Sequence, residues 1–156
     1  MFLTSFFRRQ DPFWRSNCPS GFILCAGRCY TRLSIAVEYG QAEQDCAALG
    51  AFLAVPRTRD QNLCVAGLAG LESIWLGVTD RQEEGVFQGA DGRPVTGNEG
   101  QVWAAGHPDN DGGTEHCVEI RNDPPDFDFA EWNDWPCTGE TNYPMCQLPD
   151  GKPKRG

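Results

Sequence analysis

The chain predicts an α+β fold held together by disulfides. Three observations carry the prediction: two stretches with helical spacing lie in the first half, short apolar pieces separated by Gly, Pro, Asp and Asn fill the second, and eight cysteines run from Cys18 to Cys146. Helical segments followed by a run of short strands is the order of an α+β chain, not of alternating βαβ units. Eight cysteines mark an oxidising compartment, because cytosolic thiols are kept reduced. A secreted, extracellular protein is expected.

The elements follow in order. Residues 1–17 form an N-terminal arm whose Phe2, Phe6, Phe7, Phe13 and Trp14 either pack on a surface or belong to a disordered tail. Arg8 and Arg9 follow the apolar patch instead of preceding it, and no small-residue cleavage site appears, so the arm does not read as a signal peptide. Residues 22–33 are broken by Gly27 and flanked by cysteines, which suits a short hairpin. Residues 35–49 put Ala42, Cys46 and Leu49 on one helical face and stop at Gly50. Thr58 and Gln61 stand at capping-box spacing and open a second helix reaching about Leu71. Beyond it, Ile74-Trp75-Leu76-Gly77-Val78, Val118-Glu119-Ile120 and Pro144-Met145-Cys146 read as short strands between long loops. Residues 149–156 form a polar tail.

At 156 residues the chain is one domain of ordinary size. Its 13 basic residues against 22 acidic ones leave a net charge of −9, which repels a phosphate backbone and argues against a nucleic-acid partner. No apolar run approaches the roughly 18 residues of a membrane span, so a soluble protein is expected. No Asn-x-Ser/Thr acceptor occurs, and N-glycosylation is not expected.

The most informative stretch sets His107-Pro108-Asp109, Glu115 and Cys117 ahead of Trp132-Asn133-Asp134 and Cys137. Two segments, each tied to a cysteine, thus deliver carboxylates and a side-chain amide to one place. Calcium takes six to eight oxygen ligands, and this set supplies most of a shell while leaving positions for water or a ligand.

Over residues 18–148 the chain resembles the C-type lectin-like domain. The residues that carry the likeness occur in order: Cys18-Pro19, Gly21, Cys29-Tyr30, Ala42, Cys46, Gly50-Ala51, Leu53-Ala54, Trp75-Leu76-Gly77-Val78-Thr79-Asp80, Glu84-Gly85, Trp103, Cys117-Val118, Trp132-Asn133-Asp134, Cys137 and Cys146. Tyr39 stands where the family usually has Trp, a conservative change at a packing position. The resemblance implies two helices flanking short antiparallel sheets with a long calcium-binding loop region. It also implies disulfides Cys18 to Cys29, Cys46 to Cys146 and Cys117 to Cys137. Cys25 and Cys64 are left over and either bridge the hairpin to the second helix or link chains.

Carried over residue by residue, the family's principal Ca²⁺ site would comprise His107, Asp109, Glu115, Asn133 and Asp134, with Pro108 in cis. Sugar-binding members carry Glu-Pro-Asn for mannose-type and Gln-Pro-Asp for galactose-type ligands; His107-Pro108-Asp109 matches neither. Imidazole nitrogen suits calcium poorly, so His107 is read as a hydrogen-bond donor and Asp109 as an acceptor. That polarity copies the galactose type and implies a preference for galactose or N-acetylgalactosamine. Trp135 is the candidate platform for the sugar's apolar face, with packing beneath the loop as the alternative; Trp75, Trp103 and Trp132 are read as core. The family's auxiliary calcium site would fall on Asp80, Glu84, Asn110 and Glu115. With Asn110 and His116 where acids are common, that site is expected to be weak or empty. An imidazole titrates near neutrality, so His107 also suggests ligand binding that falls in acid.

Catalysis is not expected, because neither histidine has a nucleophile in an activating arrangement and no zinc-ligand spacing appears. The competing reading is a protein-binding, mineral or structural module on the same scaffold, for which Asp123, Asp126, Asp128 and Glu131 supply negative charge. A shallow sugar site needs multivalency, so a homo-oligomer is plausible through Cys25, Cys64 or the aromatic arm.

Overall fold

The computed structural model describes residues 17–96, 103–122 and 127–150. The arm to residue 16, the tail from 151, Asp123 and Asp126 lie outside these. In chain order come β1 (Ile23–Cys25), β2 (Arg28–Arg32), α1 (Tyr39–Ala47), β3 (Phe52–Leu53), α2 (Arg59–Ala69), β4 (Ile74–Thr79), β5 (Gln88–Gly89), β6 (Cys117–Ile120), β7 (Trp132–Trp135) and β8 (Tyr143–Gln147). The sheet order is β1-β2-β8-β4-β6-β7, with β3 on β8 and β5 on β4. Pairings are antiparallel except β4 with β8, which run parallel. This is the α+β fold with two helices that the sequence predicts.

The hairpin β1–β2 turns through Ala26 and Gly27 at φ 51° and 80°, the left-handed pair that a two-residue turn requires. The first helix is shorter than its spacing predicts. It begins at Tyr39, because Val37 is taken by backbone hydrogen bonds of 3.0 and 3.1 Å with Asn142, and Trp75 Nε1 donates to the Val37 carbonyl at 2.8 Å. Val37 is thus held in a β-bridge, by pairing that no local pattern reveals. The second helix ends at Ala69, two residues early, where Gly70 turns at φ 67°.

At its start Thr58 Oγ1 accepts from the Gln61 amide at 3.1 Å, while Gln61 Oε1 reaches back to the Arg57 amide at 2.8 Å. Replacing this cap, Thr58→Ala, should cost about 1 kcal/mol. Equilibrium denaturation with an unchanged slope would measure it.

Two apolar clusters meet along the sheet. One gathers Val55, Val65, Ile74, Leu76, Val118, Trp132 and Met145 between α2 and the strands; the other gathers Tyr39, Ala42, Leu53, Trp75 and the Cys46–Cys146 pair beneath α1. Tyr39 takes the packing role of the larger ring, edge-on to Trp75 at 5.2 Å with its hydroxyl donating to the Leu76 carbonyl at 2.7 Å. Trp75 and Trp132 are fully buried, and half-buried Trp103 packs edge-on to Trp132 at 5.6 Å. Gly77 is required where β4 shifts register, because a Cβ there would lie 2.1 Å from the Leu53 carbonyl oxygen.

Four disulfides close the molecule: Cys18–Cys29, Cys25–Cys64, Cys46–Cys146 and Cys117–Cys137. No cysteine is free. Cys25 and Cys64 therefore bridge β1 to α2 within the chain, and the alternative of a link between chains through them is withdrawn. The Cys46–Cys146 bridge spans 100 residues, a loop whose closure removes about 4 to 5 kcal/mol of unfolded-chain entropy. The Cys117–Cys137 bridge ties β6 to the segment after β7, and so holds the two strands that carry the site.

Candidate calcium centre

The site is built on the β6–β7 pair and the loop that precedes it. Asp134, 1% exposed, organises the loop: its carboxylate accepts from the Asp109 amide at 3.1 Å through both oxygens and from the Asn110 amide at 2.7 Å. His107 Nδ1 lies 3.4 Å from Asp134 Oδ1 and 3.5 Å from Asp109 Oδ1. The peptide between His107 and Pro108 is cis. One ligand atom from each of His107, Asp109 and Asp134 falls within 4.8 Å of the others.

Glu115 joins this group through the loop. The Asp111 amide donates to Glu115 Oε1 at 3.2 Å and to Asp109 Oδ1 at 3.3 Å, so one backbone donor faces both carboxylates. Asn110, in the left-handed region at φ 46°, accepts from the Glu115 amide through Oδ1 at 3.0 Å and so folds the loop back on itself. Burial first, then the neighbouring Asp109 carboxyl and the Asp134 charge, push Glu115 up to about 8. Anions gathered this closely are relieved by a cation, and calcium is the cation whose ligands are of this kind.

Asn133 is held from behind. Its Nδ2 donates to the buried Glu119 carboxylate at 2.7 Å, which the opposing register of β6 and β7 brings beside it. The same carboxylate accepts from Asn142 Nδ2 at 2.9 Å and lies 3.5 Å from Arg121 Nη1. With the amide oriented in this way, Asn133 Oδ1 is buried and has no hydrogen-bond partner among the described residues. Buried carbonyl oxygens are almost always satisfied, and an oxygen-seeking metal ion is a partner that would satisfy this one.

A second cluster stands beside the first. His116 Nδ1 lies 3.1 Å from Asp80 Oδ1 and 3.2 Å from Glu84 Oε1.

Trp135 is open to two readings in the sequence, a platform for a sugar or packing beneath the loop. The ring is half-buried against the α1 cluster, and the Arg121 guanidinium sits over it, 4.4 Å from the centroid. The aromatic side chain beside His107 is instead Phe127, with ring centroids 5.7 Å apart. Neither Phe127 nor Arg121 carries a local signal in the sequence. Glu119 did offer one, as an acid inside the apolar piece Val118-Glu119-Ile120, all of it buried in β6.

The family model for the lectin C-type domain matches residues 35–148. The chain belongs to the C-type lectin family. Perlucin from Haliotis laevigata is 30% identical over 137 residues, covering 84% of this chain and 83% of perlucin. Among solved structures, the carbohydrate-recognition domain of the mouse scavenger receptor C-type lectin aligns with a TM-score of 0.73 at 26% identity, covering 85% of this chain and 98% of that domain. Herring type II antifreeze protein aligns with a TM-score of 0.72 at 27% identity, covering 85% of this chain and 98% of that protein. C-type lectin domains generally bind Ca²⁺, and this one holds acidic clusters able to take a cation. The family is one of binding proteins, not of enzymes. No described helix of this C-type lectin is long and apolar enough to cross a membrane.

Proposed function

We propose that this chain is a secreted, calcium-dependent carbohydrate-binding lectin that prefers terminal galactose or N-acetylgalactosamine. Asp109, Glu115, Asn133 and Asp134 would hold the ion, and the observation that carries the reading is the buried, partnerless Asn133 Oδ1 on an amide anchored by Glu119. The three carboxylates supply the negative charge and Asn133 a neutral oxygen, a donor set suited to a hard cation. Bound calcium supplies the open coordination positions that a pair of vicinal sugar hydroxyls takes. Asp109 then accepts a hydrogen bond from one hydroxyl. His107 donates toward the other through Nε2, which makes no hydrogen bond among the described residues, while Nδ1 faces Asp134 and Asp109. Phe127 is the ring next to that donor, and the Arg121 guanidinium lies farther from its centroid, at 5.7 Å, than from that of Trp135, at 4.4 Å, so Phe127 is the better placed of the two to cover an apolar sugar face. Asp80, Glu84 and Asn110 contribute little to calcium here, since Asn110 Oδ1 is already bonded to the Glu115 amide.

Full pairing of the eight cysteines supports an extracellular setting. Multivalent glycan recognition would come from a homo-oligomer assembled by a route other than Cys25 and Cys64. The likeness to an antifreeze protein supports a second reading, a module that recognises a non-sugar surface.

Chromatography on immobilised galactose separates the two. The chain should be retained in Ca²⁺, leave on addition of chelator, and leave with free galactose at concentrations where mannose has no effect. Passage straight through in Ca²⁺ would refute the galactose preference, and retention that survives the chelator would refute calcium-dependent binding.

A further inference from the structure

The cluster of Asp80, Glu84 and His116 lies outside the proposed calcium site and is built by the fold. The β4–β6 pairing ends at Thr79 opposite Cys117, which sets Asp80 and His116 side by side just beyond the strands, and the Asp80 amide donates to the His116 carbonyl at 3.0 Å. Asp80 is 2% exposed, and its Oδ2 accepts from the Gly85 amide at 2.8 Å, so Oδ1 is aimed by a fixed carboxylate. His116 Nδ1 lies between that oxygen, at 3.1 Å, and Glu84 Oε1, at 3.2 Å. The three donor atoms come within 4.8 Å of one another. Asp80 closes the site from the protein side, while the half-buried His116 and exposed Glu84 side chains leave it open to entry from solvent.

The resemblance assigns calcium to this position, and the donor set does not suit it. Calcium calls for six to eight oxygens, whereas here the central donor is an imidazole nitrogen and only two carboxylates accompany it. Of the other two oxygen donors expected there, Asn110 Oδ1 accepts from the Glu115 amide and Glu115 Oε1 accepts from the Asp111 amide, within the neighbouring loop. One imidazole with two carboxylates is instead a set that borderline transition metals favour. Zinc takes nitrogen and carboxylate oxygen at about 2.0 to 2.2 Å, so tetrahedral ligands sit roughly 3.4 Å apart, close to both distances that His116 Nδ1 makes here. Three protein ligands would leave a fourth position for water.

We infer that Asp80, Glu84 and His116 form a transition-metal site that takes Zn²⁺ in preference to Ca²⁺, separate from the sugar-binding centre. His116 binds through Nδ1 as the neutral ring, and the two carboxylates balance the charge of the ion.

The test uses the full chain, stripped with chelator and dialysed, titrated calorimetrically with ZnCl₂ and separately with CaCl₂, with Co²⁺ absorption as a spectroscopic readout. Wild type should take up Zn²⁺ and show a Co²⁺ ligand-field band. His116→Gln and Glu84→Gln should each weaken Zn²⁺ by at least about tenfold and abolish the band. Circular dichroism checks that both variants keep the fold, as their solvent-facing side chains allow. His116→Gln should leave Ca²⁺ uptake within about threefold of wild type. No Zn²⁺ uptake by wild type would overturn the inference, as would uptake and a Co²⁺ band unchanged in both variants. Failure of Ca²⁺ binding alone would bear on the lectin reading and not on this one.

Discussion

Asp134→Asn should weaken Ca²⁺ binding by about 100-fold or more, a loss of roughly 2.7 kcal/mol or more, and with it remove retention on galactose. Two effects act together. The substitution removes one of the three negative charges of the set, and calcium affinity follows the charge count of its ligands. It also disturbs the loop, because Asp134 is the acceptor for the amides of Asp109 and Asn110, and an asparagine offers them one oxygen and an NH₂ that repels a donor. Asp109 would then lose its place even though it is unchanged. Asp128, exposed and taking no part in these bonds, serves as the control: Asp128→Asn removes the same single negative charge and should leave calorimetric Ca²⁺ binding where it was. If Asp134→Asn binds Ca²⁺ within about threefold of wild type, the ion is not held here.

Much of the scaffold is legible from local chemistry. Gly50 and Gly70 end the helices, Thr58 caps the second, and the strand pieces at 74–78, 118–120 and 144–146 all lie within observed strands. What escaped depends on partners far along the chain. Residues 35–38 have helical composition, yet Asn142 holds Val37 in a bridge and the helix starts only at Tyr39. The segment Trp132–Trp135 reads as a motif of ligands and is a strand only because β6 lies beside it. Cys25 and Cys64 carry nothing in sequence that distinguishes a bridge within the chain from one between chains; the distance decides, with 6.0 Å between their Cα atoms. The site divides the same way. Asp109, Glu115 and Asp134 were recognisable as oxygen donors, but the partners that set their roles were not. Arg121 covers Trp135, Phe127 approaches His107, and the donor and acceptor that flank a sugar follow from contacts between loops.

Glu119 is where that hidden layer has its largest consequence. Its carboxylate is 1% exposed and accepts from Asn133 Nδ2 and Asn142 Nδ2 on separate oxygens, with Arg121 as the nearby cation. Burial raises its proton affinity, and the two amides and Arg121 act against that rise, so the group is held by its partners. In Glu119→Gln one oxygen becomes an NH₂, and one of the two asparagines then faces a donor. An unsatisfied buried donor costs about 1 to 3 kcal/mol, which denaturation should register. The functional effect is separate. Asn133 can escape the clash by turning its amide over, which brings Nδ2 to the position from which Oδ1 would meet the ion. Ca²⁺ affinity should therefore fall by about tenfold or more, the scale seen when a group that orients a metal ligand is lost. Asn142→Ala distinguishes orientation from simple weakening, because it breaks the same network and leaves the bond from Asn133 to Glu119 intact. It should lower stability by a comparable amount and leave Ca²⁺ binding unchanged. Equal Ca²⁺ affinities for wild type, Glu119→Gln and Asn142→Ala would mean that Asn133 Oδ1 is not a ligand, whatever the carboxylates of the loop do.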